Sequence, residues 1–289
     1  MTPRVDDVIP LSDGRRLGYA EWGPENAQPI FQFHGSPAGR LDRWGEDSAL
    51  ERLGVRLITT DRPGIGRSTS DGARRIVDWA DDVRELADHL EIGRFRVVGF
   101  SMGGAYAAAC AAQLPDRVTA AALVSPIGRV DERGVESMGT APFLKLARRA
   151  PYAMRAVYTG LAMMARHSPD RAHEQFWARM PPIDREIVDR PAVRERYWPA
   201  LTDALRGRGH GLVDDMRTVQ RPWGFDPAAI KVRVHLFHGT SDPVVPQSDA
   251  EYWLDTVPDC HVRWYEGEGH FLIEDRFEEV LRVLSTDAS

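Results

Sequence analysis

Cysteine is nearly absent from this 289-residue chain, which has only Cys110 and Cys260. So sparse a set offers no disulfide framework and fits a reducing compartment, so the cytoplasm is the expected location. Cys110, inside an alanine-rich stretch, reads as a small core residue. Lysine is equally scarce. Of 37 basic residues only Lys145 and Lys231 are lysines, an arginine and alanine skew typical of GC-rich bacterial coding. No run of about 18 apolar residues occurs, which argues against a membrane-spanning helix. The opening Met1-Thr-Pro-Arg-Val-Asp-Asp has no apolar signal region, which argues against secretion. Excess basic charge is missing too. The net charge is −6, whereas a nucleic-acid binder should carry a basic face.

What remains is an ordinary globular composition, 43% hydrophobic and 28% charged, long enough for one large α/β domain or a domain with an insertion. Short apolar runs at 16–22, 29–33 and 55–60 read as strands. The spacing of Trp79, Val83, Leu86, Ala87 and Leu90 predicts a helix over 78–90. Further strands are expected at 95–99 and 118–124, and this alternation implies a mostly parallel sheet covered on both faces. After Ser125-Pro126 the texture changes. Residues 127–212 hold helical pieces at 152–167, 170–180 and 192–206, broken at Pro151, Pro169, Pro181-Pro182 and Pro191, and five of the eight methionines fall there. This stretch has 15 basic and 10 acidic residues, so it either adheres to an acidic body or attracts an anionic substrate. Its methionines are core filler or a pliable apolar roof over a pocket. Strands resume at 232–237 and 261–265, with helices near 247–256 and 274–284.

The most informative segment is Phe95-Arg-Val-Val-Gly99-Phe-Ser101-Met-Gly103-Gly104, a strand followed by an alanine-rich helix. In a Gly-x-Ser-x-Gly turn of this kind the serine is lifted off the strand end, in a strained backbone conformation. The chain folds back so sharply that side chains at 99 and 103 would collide, and the two glycines remove them. The helix from Met102 aims unpaired N–H groups at charge developing beside Ser101.

A nucleophilic serine needs a base, and the base needs an orienting carboxylate. Of nine histidines, His270 is the best placed, on the Glu266-Gly-Glu-Gly-His270 loop between the last strand and the last helix. His235 and His238 lie three apart on one strand and face opposite sides, so they cannot share a metal. His89, His167, His173 and His261 read as structural or solvated. Asp242, on the loop stiffened by Pro243 and Pro246, is the candidate acid. Asp226, Asp249 and Asp255 fall before the strand or in a helix. No carboxylate follows strand 118–124 before Asp131. The chain order is nucleophile, acid, histidine.

These features resemble the α/β-hydrolase fold superfamily, within its esterase, cofactor-free haloperoxidase and proline-iminopeptidase-like group. The resemblance rests on Phe33-His34-Gly35-Ser36-Pro37, the run Asp61-Arg-Pro-Gly-Ile-Gly-Arg-Ser68, the Ser101 turn, the Asp242 loop and Gly269-His270. It spans residues 1–126 and 213–289, with 127–212 in the position of a helical cap. It implies catalysis by Ser101, His270 and Asp242, and no metal or organic cofactor. An oxyanion needs two N–H donors: Met102 supplies one from the helix start, and the resemblance assigns the other to Ser36. It makes His34, with Gly35, a structural support, and 61–68 a structural turn. Read as a nucleotide loop, 61–68 fails for want of a third glycine in register.

A serine rather than an aspartate at position 101 argues against the family's dehalogenases and epoxide hydrolases. Lys145 is the only candidate for the cap lysine of its hydroxynitrile lyases, and Ser36 replaces an iminopeptidase glycine. The expectation is therefore hydrolysis of a small-molecule ester, thioester or lactone through an acyl-enzyme, with an apolar or aromatic acyl group. Acyl transfer, carbon–carbon bond chemistry and pure ligand binding are the alternatives. Cap arginines Arg148, Arg155 or Arg179 inside the pocket would favour a carboxylate-bearing substrate.

Overall fold

A parallel sheet sealed on both faces demands strands that are apolar throughout, and the central strands of this chain meet that demand. The computed structural model describes residues 2–128 and 138–286. Its strands are β1 (Val5–Pro10), β2 (Arg16–Trp22), β3 (Gln28–Phe33), β4 (Val55–Thr60), β5 (Phe95–Phe100), β6 (Val118–Val124), β7 (Arg233–Gly239) and β8 (Cys260–Tyr265). They form one sheet in the order β1-β2-β4-β3-β5-β6-β7-β8. β2 runs antiparallel to both neighbours and all other pairs are parallel. The expected mostly parallel α/β sheet is therefore what forms. β1 escaped the sequence reading because its aspartates break the apolar alternation. It is an edge strand paired only with β2, where charge is tolerated and blunts unwanted pairing.

The helices are α1 (Asp47–Leu53), α2 (Trp79–His89), α3 (Met102–Gln113), α4 (Ala141–Arg149), α5 (Pro151–His167), α6 (Pro169–Trp177), α7 (Pro182–Val188), α8 (Pro191–Ala204), α9 (His210–Thr218), α10 (Gln247–Thr256) and α11 (Ile273–Thr286). Val83 and Leu86 of α2, Ala105 of α3 and Trp253 of α10 belong to the core on one face of the sheet. Leu50 of α1 with Phe277 and Leu281 of α11 belong to the core on the other. α3 is buried almost all round, which its small alanines permit.

Between β6 and β7 the described chain is helical, from α4 to α9. Pro151, Pro169, Pro182 and Pro191, which read in the sequence as breaks, are the first residues of α5 to α8, where proline's missing N–H is no loss. α9 straddles residue 212, so the division expected there falls inside a helix. Asp131 lies outside the described residues.

The strand order also fixes where a ligand can sit. From β3 the chain moves outward to β4, then crosses back to place β5 on the other side of β3. The loops leaving β3 and β5 at their carboxyl ends diverge, and an open α/β sheet has its crevice there.

Candidate active site

Ser101 follows β5 with φ 53° and ψ −121°, a strained conformation for a residue with a side chain. Its N–H donates to the Val124 carbonyl at 2.8 Å, and its own carbonyl accepts from Gly104 and Ile127. The turn exists only without side chains at its flanks. A Cβ on Gly99 would stand 2.2 Å from the Gly103 carbonyl oxygen, and one on Gly103 would stand 2.1 Å from that of Phe33. Gly103 thus also brings the β3 loop against α3, and a Cβ on Gly35 would come 3.5 Å from that of Ser101.

The loop after β7 carries Asp242 and the loop after β8 carries His270. His270 Nδ1 and Asp242 Oδ2 are 2.8 Å apart, and the other carboxylate oxygen accepts the backbone N–H groups of Val244 and Val245. Burial pushes this carboxyl's pKa up, but His270 and the Val245 N–H outweigh it and hold the group below its ordinary value. An ionised Asp242 fixes Nδ1–H as the donor, leaving Nε2 as the basic nitrogen. The Phe100 ring lies 4.9 Å from the imidazole, centroid to centroid, tilted 40° to it.

Ser101, His270, Ser36 and Met102 line one cavity of about 740 Å³, roofed by side chains of α4 to α6, among them Met154, Leu161 and Trp177. Of the arginines singled out in the sequence, only Arg179 lines it. Arg155 instead pairs with Asp214 and covers the Tyr152 ring. Arg194 also lines the cavity and pairs with Asp170. The polar exceptions to the apolar wall include Asp42, Glu274 and Tyr197. Burial, with Glu274 nearby, pushes the Asp42 carboxyl up to about 7. Glu274 pairs with Arg196 at 2.5 Å.

His34 is buried, its Nδ1 2.7 Å from the Gly35 carbonyl. Burial first and Arg62 second push its pKa well down, so its ring is neutral. Asp61 accepts the backbone N–H groups of Arg40 and Arg67, closing the turn at 61–68. Among the described residues no group of three or more His, Cys, Asp or Glu side chains could hold a metal ion. No described helix is long and apolar enough to cross a membrane.

Two contributors went unseen in the sequence. His238 stands beside Asp242, its Nε2 3.9 Å from Oδ2 and 3.2 Å from the Val245 carbonyl. Asp184 of α7 is buried and accepts the Phe271 N–H at 2.8 Å, bracing the His270 loop from the insertion. No motif marks it, because its partner is a main-chain group 87 positions away. Only the acidic first turn of α7 hints at it.

A Gly-x-Ser-x-Gly turn between a strand and a helix of a mostly parallel sheet, with an aspartate and a histidine paired on two later strand-end loops, is the pattern of one class of scaffold. The family model described as alpha/beta hydrolase fold matches residues 28–277, and the chain belongs to that family. It is similar to a non-heme chloroperoxidase of Streptomyces lividans, 33% identical over 270 residues, covering 92% of this chain and 93% of that protein. It also resembles the dihydrolipoyllysine-residue acetyltransferase component of an acetoin cleaving system from Cupriavidus necator. That match is 29% identical over 259 residues and covers 89% of this chain but only 62% of the relative. Among solved structures, a hydrolase from Pseudomonas aeruginosa superimposes with a TM-score of 0.70 at 20% identity, over 99% of this chain and 100% of that one, a likeness of fold.

Proposed function

We propose that this protein is a serine hydrolase that cleaves a small carboxylic ester, thioester or lactone through an acyl-enzyme on Ser101. The observation that carries the reading is the Asp242–His270 hydrogen bond opening onto the same cavity as a serine held at positive φ. His270 Nε2 takes the Ser101 proton as the oxygen attacks the substrate carbonyl, and Asp242 stabilises the imidazolium. The Ser36 and Met102 N–H groups receive the oxyanion. His270 returns its proton to the leaving group, then activates water to release the acid. The apolar roof selects an apolar or aromatic acyl group, and the stretch 127–212 acts as a cap. No step requires a cofactor.

The test is a fluorophosphonate probe together with 4-nitrophenyl esters of increasing chain length. The expected result is labelling at Ser101, and loss of labelling and of at least about 10⁴-fold in kcat in Ser101→Ala. Full esterase activity in Ser101→Ala would refute the reading. The name of the Cupriavidus relative makes acyl transfer the rival outcome, and product analysis in ¹⁸O-labelled water separates the two.

A further inference from the structure

Arg62 is a buried guanidinium outside the proposed triad, and two of its hydrogen bonds go to the loop that follows β3. Nη1 donates to the His34 carbonyl at 2.6 Å and Nη2 to the Gly35 carbonyl at 3.0 Å. Its other side is gripped by Asp215 of α9: Nε to Oδ1 at 3.0 Å and Nη2 to Oδ2 at 2.7 Å. Asp215 also accepts the Tyr106 hydroxyl of α3 at 2.6 Å, and the guanidinium lies 4.7 Å from the centre of the Tyr106 ring. Arg62 and Asp215 are both almost fully enclosed, a costly arrangement unless it does something a pair of apolar side chains would not.

The Gly35 carbonyl and the Ser36 N–H are two ends of one trans peptide plane, so they point in opposite directions. Fixing the oxygen therefore aims the N–H. Arg62 and His34 Nδ1 both hold that oxygen, and Gly35 and Ser36 line the cavity. Donation to the carbonyl also polarises the amide and strengthens its N–H as a donor.

We propose that Arg62 is the positioning residue of the oxyanion site, aiming the Ser36 N–H through the Gly35 carbonyl, and that Asp215 and Tyr106 hold it in place. This inference rests on the serine-hydrolase reading and on Ser36 as an oxyanion donor. It ties the donor to α9, the helix by which the chain returns from the insertion, and to α3, which starts at the nucleophile. A shift of α9 would therefore be felt at the donor.

The test substitutes Arg62→Lys, which keeps a cation beside Asp215 but cannot span two carbonyls and a carboxylate from one ammonium. The expected result with 4-nitrophenyl acetate is a kcat about 30- to 100-fold lower with KM within about threefold. Affinity for a trifluoromethyl ketone, which binds as an oxyanion adduct, should fall in step with kcat/KM, while affinity for the alcohol of the same skeleton holds. A purely structural role would not separate those two ligands. A folded Arg62→Lys protein with kcat and ketone affinity near wild type overturns the inference. Should that variant not fold, Asp215→Asn decides: a fivefold or greater loss of kcat at constant KM supports it, and kcat within about twofold overturns it. Wild-type protein that neither hydrolyses the ester nor reacts with fluorophosphonate would sink the serine-hydrolase reading, and this inference with it. That failure shows before any substitution at Arg62.

Discussion

The carboxyl edge of the sheet and the helical stretch between β6 and β7 differ in what they present. At the sheet edge buried charged groups are held by fixed partners: Asp242 with His270, Asp61 with two main-chain amides, Arg62 with Asp215. Between β6 and β7 four large apolar side chains stand exposed, Phe143, Tyr152, Val157 and Met163. Outside that stretch Trp264 is the one large hydrophobic side chain so exposed among the described residues. Preorganised polar groups stabilise developing charge, whereas contiguous apolar surface serves contact with ligand. The two regions therefore divide the work proposed for them, chemistry below and selection above.

That division breaks if substitutions on the two sides have the same kinetic signature. The largest effect is expected from Asp242→Asn, which lets His270 take the wrong tautomer: kcat about 10³- to 10⁴-fold lower, KM little changed, by steady-state kinetics on an aryl ester. Asp184→Ala crosses the divide. Removing the acceptor leaves the part-buried Phe271 N–H unpaired at a cost of about 1 kcal/mol, so kcat should fall several-fold to tenfold while Asp184→Asn keeps most activity. Leu161→Ala, in the roof, should shift the preferred ester by one or two carbons with kcat changed less than about threefold. If it reduced kcat as Asp184→Ala does, the division would be wrong.

The smallest effect concerns Asp42. Its carboxyl is raised to about 7 by burial and by Glu274, above its unfolded value. Between those values the native state holds the extra proton, so this group's contribution to stability is full below pH 4 and is lost as pH rises through 7. Asp42→Asn should match wild type in Tm near pH 4, and its advantage should grow up to about pH 7 and then level off at several degrees, by calorimetry. A constant difference across that range would show that Asp42 does not titrate there.

How much of this was readable in the chain depended on whether a feature is local. The Ser101 turn announces itself because the two glycines, the strand before and the helix after are contiguous. Asp242 and His270 follow from loops at strand ends, each legible within ten residues. What could not be read is contact between main chain and distant side chain. Asp184 on Phe271 and Arg62 on Gly35 span 87 and 27 positions and leave no spacing signature. His238 was dismissed on strand alternation, which says which face a side chain takes but not what the next loop folds over it. β1 and α9 were missed for weak periodicity, since pairing and packing rather than local pattern hold them.

The prolines that start α5 to α8 have a consequence beyond capping. Ala150, Ser168, Pro181 and Arg190, each just before one of them, all lie outside the right-handed helical region. No two consecutive helices of this series can fuse into one rod, whatever packs beneath. The breaks between these helices are therefore written into their own joints and need not be imposed by the sheet.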